Sequence, residues 1–234
     1  MTMTARLALG ALMAAVLIGC TTKTAESAAP PAAAAKAAAT FGPDSIPVAM
    51  DTALLRKADM GRIAGDSSAR LMVLEVSDFQ CPYCKQFHEQ TYGALRTAYV
   101  ESGKVRIAYV NLPLRSHRNA WPAAEAAMCA SAQGKFWAMH DSLFTSQERW
   151  SEIARADTMF GRFARTMTLD ASQFDTCVST HATRPLIASD AERSSSAGIN
   201  GTPAFIIGDS LLSGAYPFAD FKRVIDANLA AARR

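Results

Sequence analysis

The apolar positions of this chain change period several times, and each change marks an element. Residues 71–76 (Leu-Met-Val-Leu-Glu-Val) form a nearly unbroken apolar run, the pattern of a central strand covered on both faces. From 82 to about 100 the period becomes helical: Cys84, Phe87, Thr91, Leu95 and Ala98 fall near one face, and Ser102-Gly103 ends it. Pro82 stands in the first turn, where a missing N–H costs nothing. Residues 105–110 return to a strand pattern, so strand, helix and strand make a βαβ unit with a parallel pair. Ahead of it, 51–59 reads as a short helix and 62–64 as a short strand. A helical stretch follows, with helices expected over 119–132, 135–145, 151–166, 172–180 and 185–197. Phe136, Met139, Leu143 and Phe144 line one face of the second, and Asp170 or Ser172 caps the fourth. The pattern then switches back. Asn200-Gly-Thr-Pro203 is a turn signal before a strand at 204–207, with an antiparallel partner at 211–212, and Pro217 opens a last helix to about 231. The order is βαβ, a helical block, then ββα, an α/β fold.

The N-terminal region is different in kind. One positive charge, Arg6, precedes an apolar run over 7–19 that is too short to span a bilayer comfortably and reads as an export signal. The end of that run, Leu17-Ile18-Gly19-Cys20, resembles the bacterial lipobox, which implies a lipid anchor on Cys20 as the first mature residue. Thr21 stands where an Asp would signal inner-membrane retention, which leans towards the outer membrane. Residues 20–43 are rich in Ala, Pro, Thr and Ser and hold too little apolar surface to offset the entropy of ordering, so they read as a tether. The expected organisation is a leader (1–19), the tether (20–43), a domain from 44–112 and 200–234, and a helical insertion (113–199). With 234 residues, half of them hydrophobic, one domain with an insertion has ample material for a core. A net charge of +3 without a dense basic patch gives no argument for nucleic acid, and no internal repeat stands out.

Five cysteines need partitioning, and Cys20 belongs to the leader. Outside the cytosol disulfides persist, so paired cysteines are the default for the other four. Cys81-Pro-Tyr-Cys84 opens a helix, where unpaired backbone N–H groups and the macrodipole favour a thiolate. Cys81, at the exposed terminus, is the expected nucleophile, and Cys84, one turn inside, the resolving thiol. A permanent disulfide and half of a zinc site are the alternatives, although Cys129 and Cys177 do not form a second C-x-x-C. Cys129 and Cys177 fall on two different helices, and a structural disulfide between them suits an exported chain. Closing so long a loop is worth roughly 4 kcal/mol in the chain-entropy model. Two free thiols or a second redox centre remain the other readings. His88, His117, His140 and His181 show no metal-ligand spacing, and surface roles are expected for His88 and His117. Trp121, Trp137 and Trp150 read as helix packing, and Phe79, Tyr83 and Phe87 as an apolar surface for unfolded substrate. The chemistry needs no organic cofactor and no metal.

The strand, the Cys81-Pro-Tyr-Cys84 helix, the helical block and the Thr202-Pro203 turn together resemble the thioredoxin fold with a helical insertion, as in the DsbA family. The resemblance runs from about residue 62 to the C-terminus. It is strengthened by Glu75-Val-Ser-Asp-Phe-Gln, by Gln133-Gly-Lys-Phe-Trp-Ala-Met-His-Asp-Ser-Leu-Phe144 and by Asn200-Gly-Thr-Pro-Ala-Phe205. It implies disulfide exchange with cysteines of unfolded or partly folded exported proteins, and a membrane partner that restores the starting redox state. Pro203 matches the family's cis-proline, which places the Thr202 backbone where an extended substrate pairs with it. Glu75 matches the family's buried acid, which moves protons to and from the inner cysteine, and burial is expected to raise its pKa. Pro82 and Tyr83 tune the pair. Tyr83 carries no charge where the strongest oxidants have a histidine, so a weaker oxidant is expected, and Thr202 is found in isomerase-type relatives. A reductase, an isomerase and a non-catalytic envelope chaperone are the alternatives to an oxidase. A separate dimerisation domain finds no room in 44–68, and a monomer is expected.

Overall fold

The structure, a computed structural model, describes residues 51–232. The leader, Cys20, the tether and the first residues of the expected folded domain lie outside the described residues.

The organising strand is β2 (Leu71–Ser77), preceded by helix α1 (Thr52–Gly61) and the two-residue β1 (Ile63–Ala64). Asp51 caps α1 by accepting from the N–H groups of Ala53 and Leu54. β2 runs parallel to β3 (Val105–Asn111), from Leu71 opposite Val105 to Ser77 opposite Asn111. On its other side it pairs antiparallel with β4 (Ala204–Ile207), which continues into β5 (Ser210–Ser213). The strand order β1-β3-β2-β4-β5 leaves β2 central, as its apolar run requires.

A helical rod covers one sheet face. It joins α2 (Pro82–Phe87), a π-helical turn (His88–Tyr92), α3 (Gly93–Leu95) and a second π turn (Arg96–Val100). A regular helix over 82–100 is the expectation, and the two π turns depart from it. Phe87, Tyr92, Leu95 and Tyr99 meet Val73, Ile107 and Phe205 of the sheet, with Phe221 and Ile225 of the C-terminal helix completing this core.

The helical block contains α4 (Ala120–Ser131), α5 (Phe136–Thr145), the short α6 (Gln147–Trp150), α7 (Asp157–Thr166), α8 (Ala171–Ser179) and α9 (Arg184–Ser196). The last helix is α10 (Phe218–Ala231). A disulfide joins Cys129 of α4 to Cys177 of α8. Asp170 is the cap of α8, accepting from the N–H of Gln173. The helix expected over 151–166 begins only at Asp157. Asn119 Nδ2 donates to the carbonyls of Trp150, Ser151 and Ile153, and Gln80 Nε2 also donates to Ser151. Carbonyls held by side chains in this way are withdrawn from a helical ladder.

The block does not pack as a separate body. Residues 51–232 lie in one compact unit, α1 packs on α4 through a 2.6 Å hydrogen bond from Ser131 Oγ to the Ala58 carbonyl, and Asp190 of α9 reaches β3.

Candidate active site

Side chains alternate along β2, so Leu71, Val73, Glu75 and Ser77 share the face beneath the rod. The strand ends at Ser77, and Asp78 turns the chain into the rod. Its buried carboxylate accepts from the backbone N–H groups of Gln80 and Leu114 and meets His117 Nδ1 at 2.7 Å. Cys81 then caps α2 in an extended conformation, with Pro82 in the first turn. Gln147 Nε2 holds this entry by donating to the carbonyls of Phe79 and Cys81.

Both motif cysteines are free thiols here. The exposed nucleophile expected from the sequence is in fact 3% exposed, because the loop before β4 folds over it. In that loop the Thr202–Pro203 bond is cis, and Cys81 Sγ lies 3.4 Å from the Thr202 carbonyl. The Cys84 thiol faces the Cys81 sulfur and favours its thiolate. Burial opposes this, but the Thr202 hydroxyl and the N–H groups of Cys84 and Tyr83 add to it, so the Cys81 pKa falls to about 6. Cys84 is fully buried, and burial together with the neighbouring sulfur pushes its pKa well above the ordinary thiol value. The two thiols are thus held in opposite states, an ionised outer sulfur and a protonated inner one.

Glu75 is wholly buried, and burial pushes its carboxyl up to about 8, with Ser77 opposing and the negative charge of Asp141 adding. Neither carboxylate oxygen has a hydrogen-bond partner, and neither do the hydroxyls of Ser77 and Tyr109. Ser77 lies close enough to Cys84, Glu75 and Tyr109 to shift the pKa of all three. Together these groups make a polar patch beneath the inner thiol. The sequence reading missed Ser77 and Tyr109. The signal for Ser77 was present, a polar residue at the end of the apolar strand two positions after Glu75, whereas Tyr109 reaches the patch only through the β2–β3 register, opposite Glu75.

Beside the dithiol a groove of about 560 Å³ is lined by Tyr83, Gln86, Thr202, Pro203, Leu211 and Gly214, among others. Tyr83 and Leu211 are well exposed at its rim. Phe79 and Phe87, expected on this surface with Tyr83, are instead buried. Phe79 stacks on Tyr109 at 4.7 Å, and Phe87 packs on Phe205 at 4.5 Å and Phe221 at 5.3 Å. The motif carries them inward because the turn at Asp78 and the helical period point both at the sheet.

His88 and His117, expected at the surface, are instead partly covered, and a third histidine lies in the core. His117 is held by buried Asp78, His140 is buried, and His88 stacks on Phe144 at 5.2 Å. Of the residues singled out from sequence, Glu75, Cys81, Pro82, Tyr83, Cys84, Thr202 and Pro203 come together. Cys129 and Cys177 sit apart, in the helical block.

The family model described as Thioredoxin matches residues 57–227. Among curated proteins, a Na(+)/H(+) antiporter NhaA 3 from Salinispora tropica is 32% identical over 176 residues, 75% of this chain. The chain spans only 26% of that relative's length, about a quarter. A probable disulfide bond formation protein D from Bacillus anthracis is 23% identical over 168 residues, covering 70% of this chain and 76% of that protein. Among solved structures, oxidised BdbD from Bacillus subtilis superposes with a TM-score of 0.67 at 20% identity, covering 73% of this chain and 94% of the other. A thioredoxin-like oxidoreductase from Silicibacter pomeroyi gives 0.60 at 26% identity, covering 75% and 95%.

Proposed function

The chain belongs to the thioredoxin family, and from that premise we propose that it is a DsbA-like thiol–disulfide oxidoreductase acting on cysteines of exported proteins. The observation that carries this is the opposed pair: Cys81 ionised above about pH 6 beside the Thr202–Pro203 turn, and Cys84 buried and protonated behind it. A permanent structural disulfide has no use for such a difference.

As an oxidase, the protein starts with Cys81 and Cys84 bonded. A substrate thiolate attacks Cys81 Sγ, the Cys81–Cys84 bond breaks, and Cys84 leaves as a thiolate that takes up a proton. Glu75, protonated below about pH 8, supplies that proton through the polar patch. A second substrate thiolate then attacks the substrate sulfur of the mixed disulfide and releases Cys81. The low pKa of Cys81 makes it a good leaving group. The substrate loses two electrons and the protein gains them, and a membrane redox partner removes them. The groove at Thr202, Pro203 and Tyr83 takes an extended segment by backbone pairing. Tyr83, uncharged and 63% exposed, adds no positive charge at the thiolate, which favours a weaker oxidant and leaves room for isomerase or reductase traffic through the same pair.

The lipobox-like end of the leader supports anchoring through Cys20 in the bacterial envelope, facing the periplasm, with the outer membrane favoured. The protein works as a monomer, and Cys129–Cys177 is a structural bridge.

The deciding experiment is capture. Cys84→Ala, expressed with its export signal, should accumulate mixed disulfides that vanish on reduction and are absent in Cys81→Ala/Cys84→Ala. If Cys84→Ala traps nothing, the chain is a chaperone-like binding module and the oxidoreductase reading fails.

A further inference from the structure

Far from each other in sequence, His88 and His140 meet where the rod crosses α5, with Asp141 between them. His88 Nε2 lies 3.2 Å and His140 Nδ1 2.8 Å from the same oxygen, Asp141 Oδ1. One ligand-competent atom from each of the three residues lies within 4.8 Å of the other two. We propose that His88, His140 and Asp141 bind one borderline divalent transition-metal ion of the class of Zn²⁺, Co²⁺ or Ni²⁺.

Geometry argues first. Bonds of about 2.0–2.1 Å in a tetrahedral zinc site place neighbouring ligand atoms roughly 3.3 Å apart. The two short edges of the triangle are already near that length, so small side-chain rotations admit the ion. The donor set argues next. Two imidazoles and one carboxylate suit these ions, whereas calcium and magnesium take oxygen-rich shells. Burial and charge also bring two of the ligands, His140 and Asp141, towards the state a metal needs. Burial drives His140 down to about 4, so its ring is neutral at pH 7. Burial opposes the charge on Asp141, but hydrogen bonds from His140 and His88 win and hold it ionised.

The backbone supports the arrangement. His88 opens the π turn His88–Tyr92, and single π turns inside helices are frequent at functional sites. An open cleft of about 540 Å³, lined by His88, Asp141, Tyr92, Arg96 and Thr145, reaches two of the three ligands and gives the ion an entry, with His140 buried behind them. The positive charge of Arg96 at this cleft is balanced by Glu101, 3.1 Å from its Nε.

Proton accounting sets the strength. An ionised carboxylate only accepts, so without metal both rings donate to Asp141. Their far nitrogens, His88 Nδ1 and His140 Nε2, are both buried with no partner. Metal binding takes the near nitrogens, and a proton kept on either ring then sits on its far nitrogen. The far N–H groups gain no acceptor, and metal sites without such support lose about 10–100-fold in affinity. The site is therefore weaker than one whose rings are held by outer partners.

The test uses the untagged full chain with Cys81 and Cys84 oxidised, so that no thiol competes for metal. Titration calorimetry with Zn²⁺ should give one ion per chain. His88→Gln and Asp141→Asn should each weaken binding at least about tenfold. His181→Gln, at a surface histidine paired with Glu125, should leave it unchanged. Wild-type protein also carries a readout independent of any variant's folding: Co²⁺ should shift the ring signals of His88 and His140 and spare those of His117 and His181. Absence of stoichiometric binding, equal affinity in folded His88→Gln and Asp141→Asn, or Co²⁺ shifts confined to other histidines would overturn the site.

Discussion

At the scale of single residues, Glu75 is the group whose environment decides most. A carboxyl that ordinarily titrates near 4.5 is raised to about 8 by burial, so the folded chain holds a proton that the unfolded chain has released. The sign follows directly: its contribution is full below about pH 4.5 and is lost as pH rises through 8. At about 1.4 kcal/mol per unit, the loss is on the order of 5 kcal/mol. Glu75→Gln should therefore gain stability over the wild type as pH rises from 5 to 8. Urea unfolding of the oxidised proteins measures this without the opposing titration of Cys81, and parallel curves across that range would show that Glu75 is not a buried proton holder. The same variant should slow thiol exchange by about a hundredfold, the low end for a lost general acid. The candidate site was partly legible here. An acid in an apolar strand six positions before a C-x-x-C marks itself, while Tyr109 carries no local sign of its role.

At the scale of elements, the rod shows what periodicity reads and what it misses. The face Cys84, Phe87, Thr91, Leu95 is spaced as a helix and is buried as one. The π turns add a residue to a turn without breaking the apolar stripe, so nothing in the hydrophobic pattern announces them. They matter because the first one presents His88 to α5. A similar limit holds where α1 crosses α4. Gly61 reads as an unremarkable end of a short helix, yet a Cβ there would stand 2.6 Å from the Ser131 carbonyl oxygen and 2.5 Å from its hydroxyl. The first neighbour is backbone and cannot swing aside. Gly61→Ala should destabilise the protein by about 1–3 kcal/mol, the range for forced overpacking, read as a lower urea midpoint at unchanged slope. No loss of stability would mean that the two helices slide freely.

At the scale of the whole molecule, the helical block is docked through a buried ion pair. Arg62, just after α1, donates to Asp190 of α9 and to the Tyr109 carbonyl, and Asp190 also accepts from the N–H and Nδ2 of Asn111 on β3. Asp190→Ala leaves the buried Arg62 guanidinium with Asp59, half exposed, as its one carboxylate, and should cost about 3–5 kcal/mol in thermal or urea unfolding. A change below about 1 kcal/mol would show that the contact does not hold the block. Through this pair α9, which falls inside the insertion expected over 113–199, closes on the sheet. The sequence by itself determined the element order, the central strand, the dithiol at a helix start and the acid behind it, because each is written in local period and spacing. Only the tertiary structure decided that Cys81 is covered by the loop at Thr202, that Phe79 and Phe87 face inward, and that His88 and His140 share Asp141. Those facts depend on which surfaces meet across the chain, and contacts between distant segments leave no period in a single sequence.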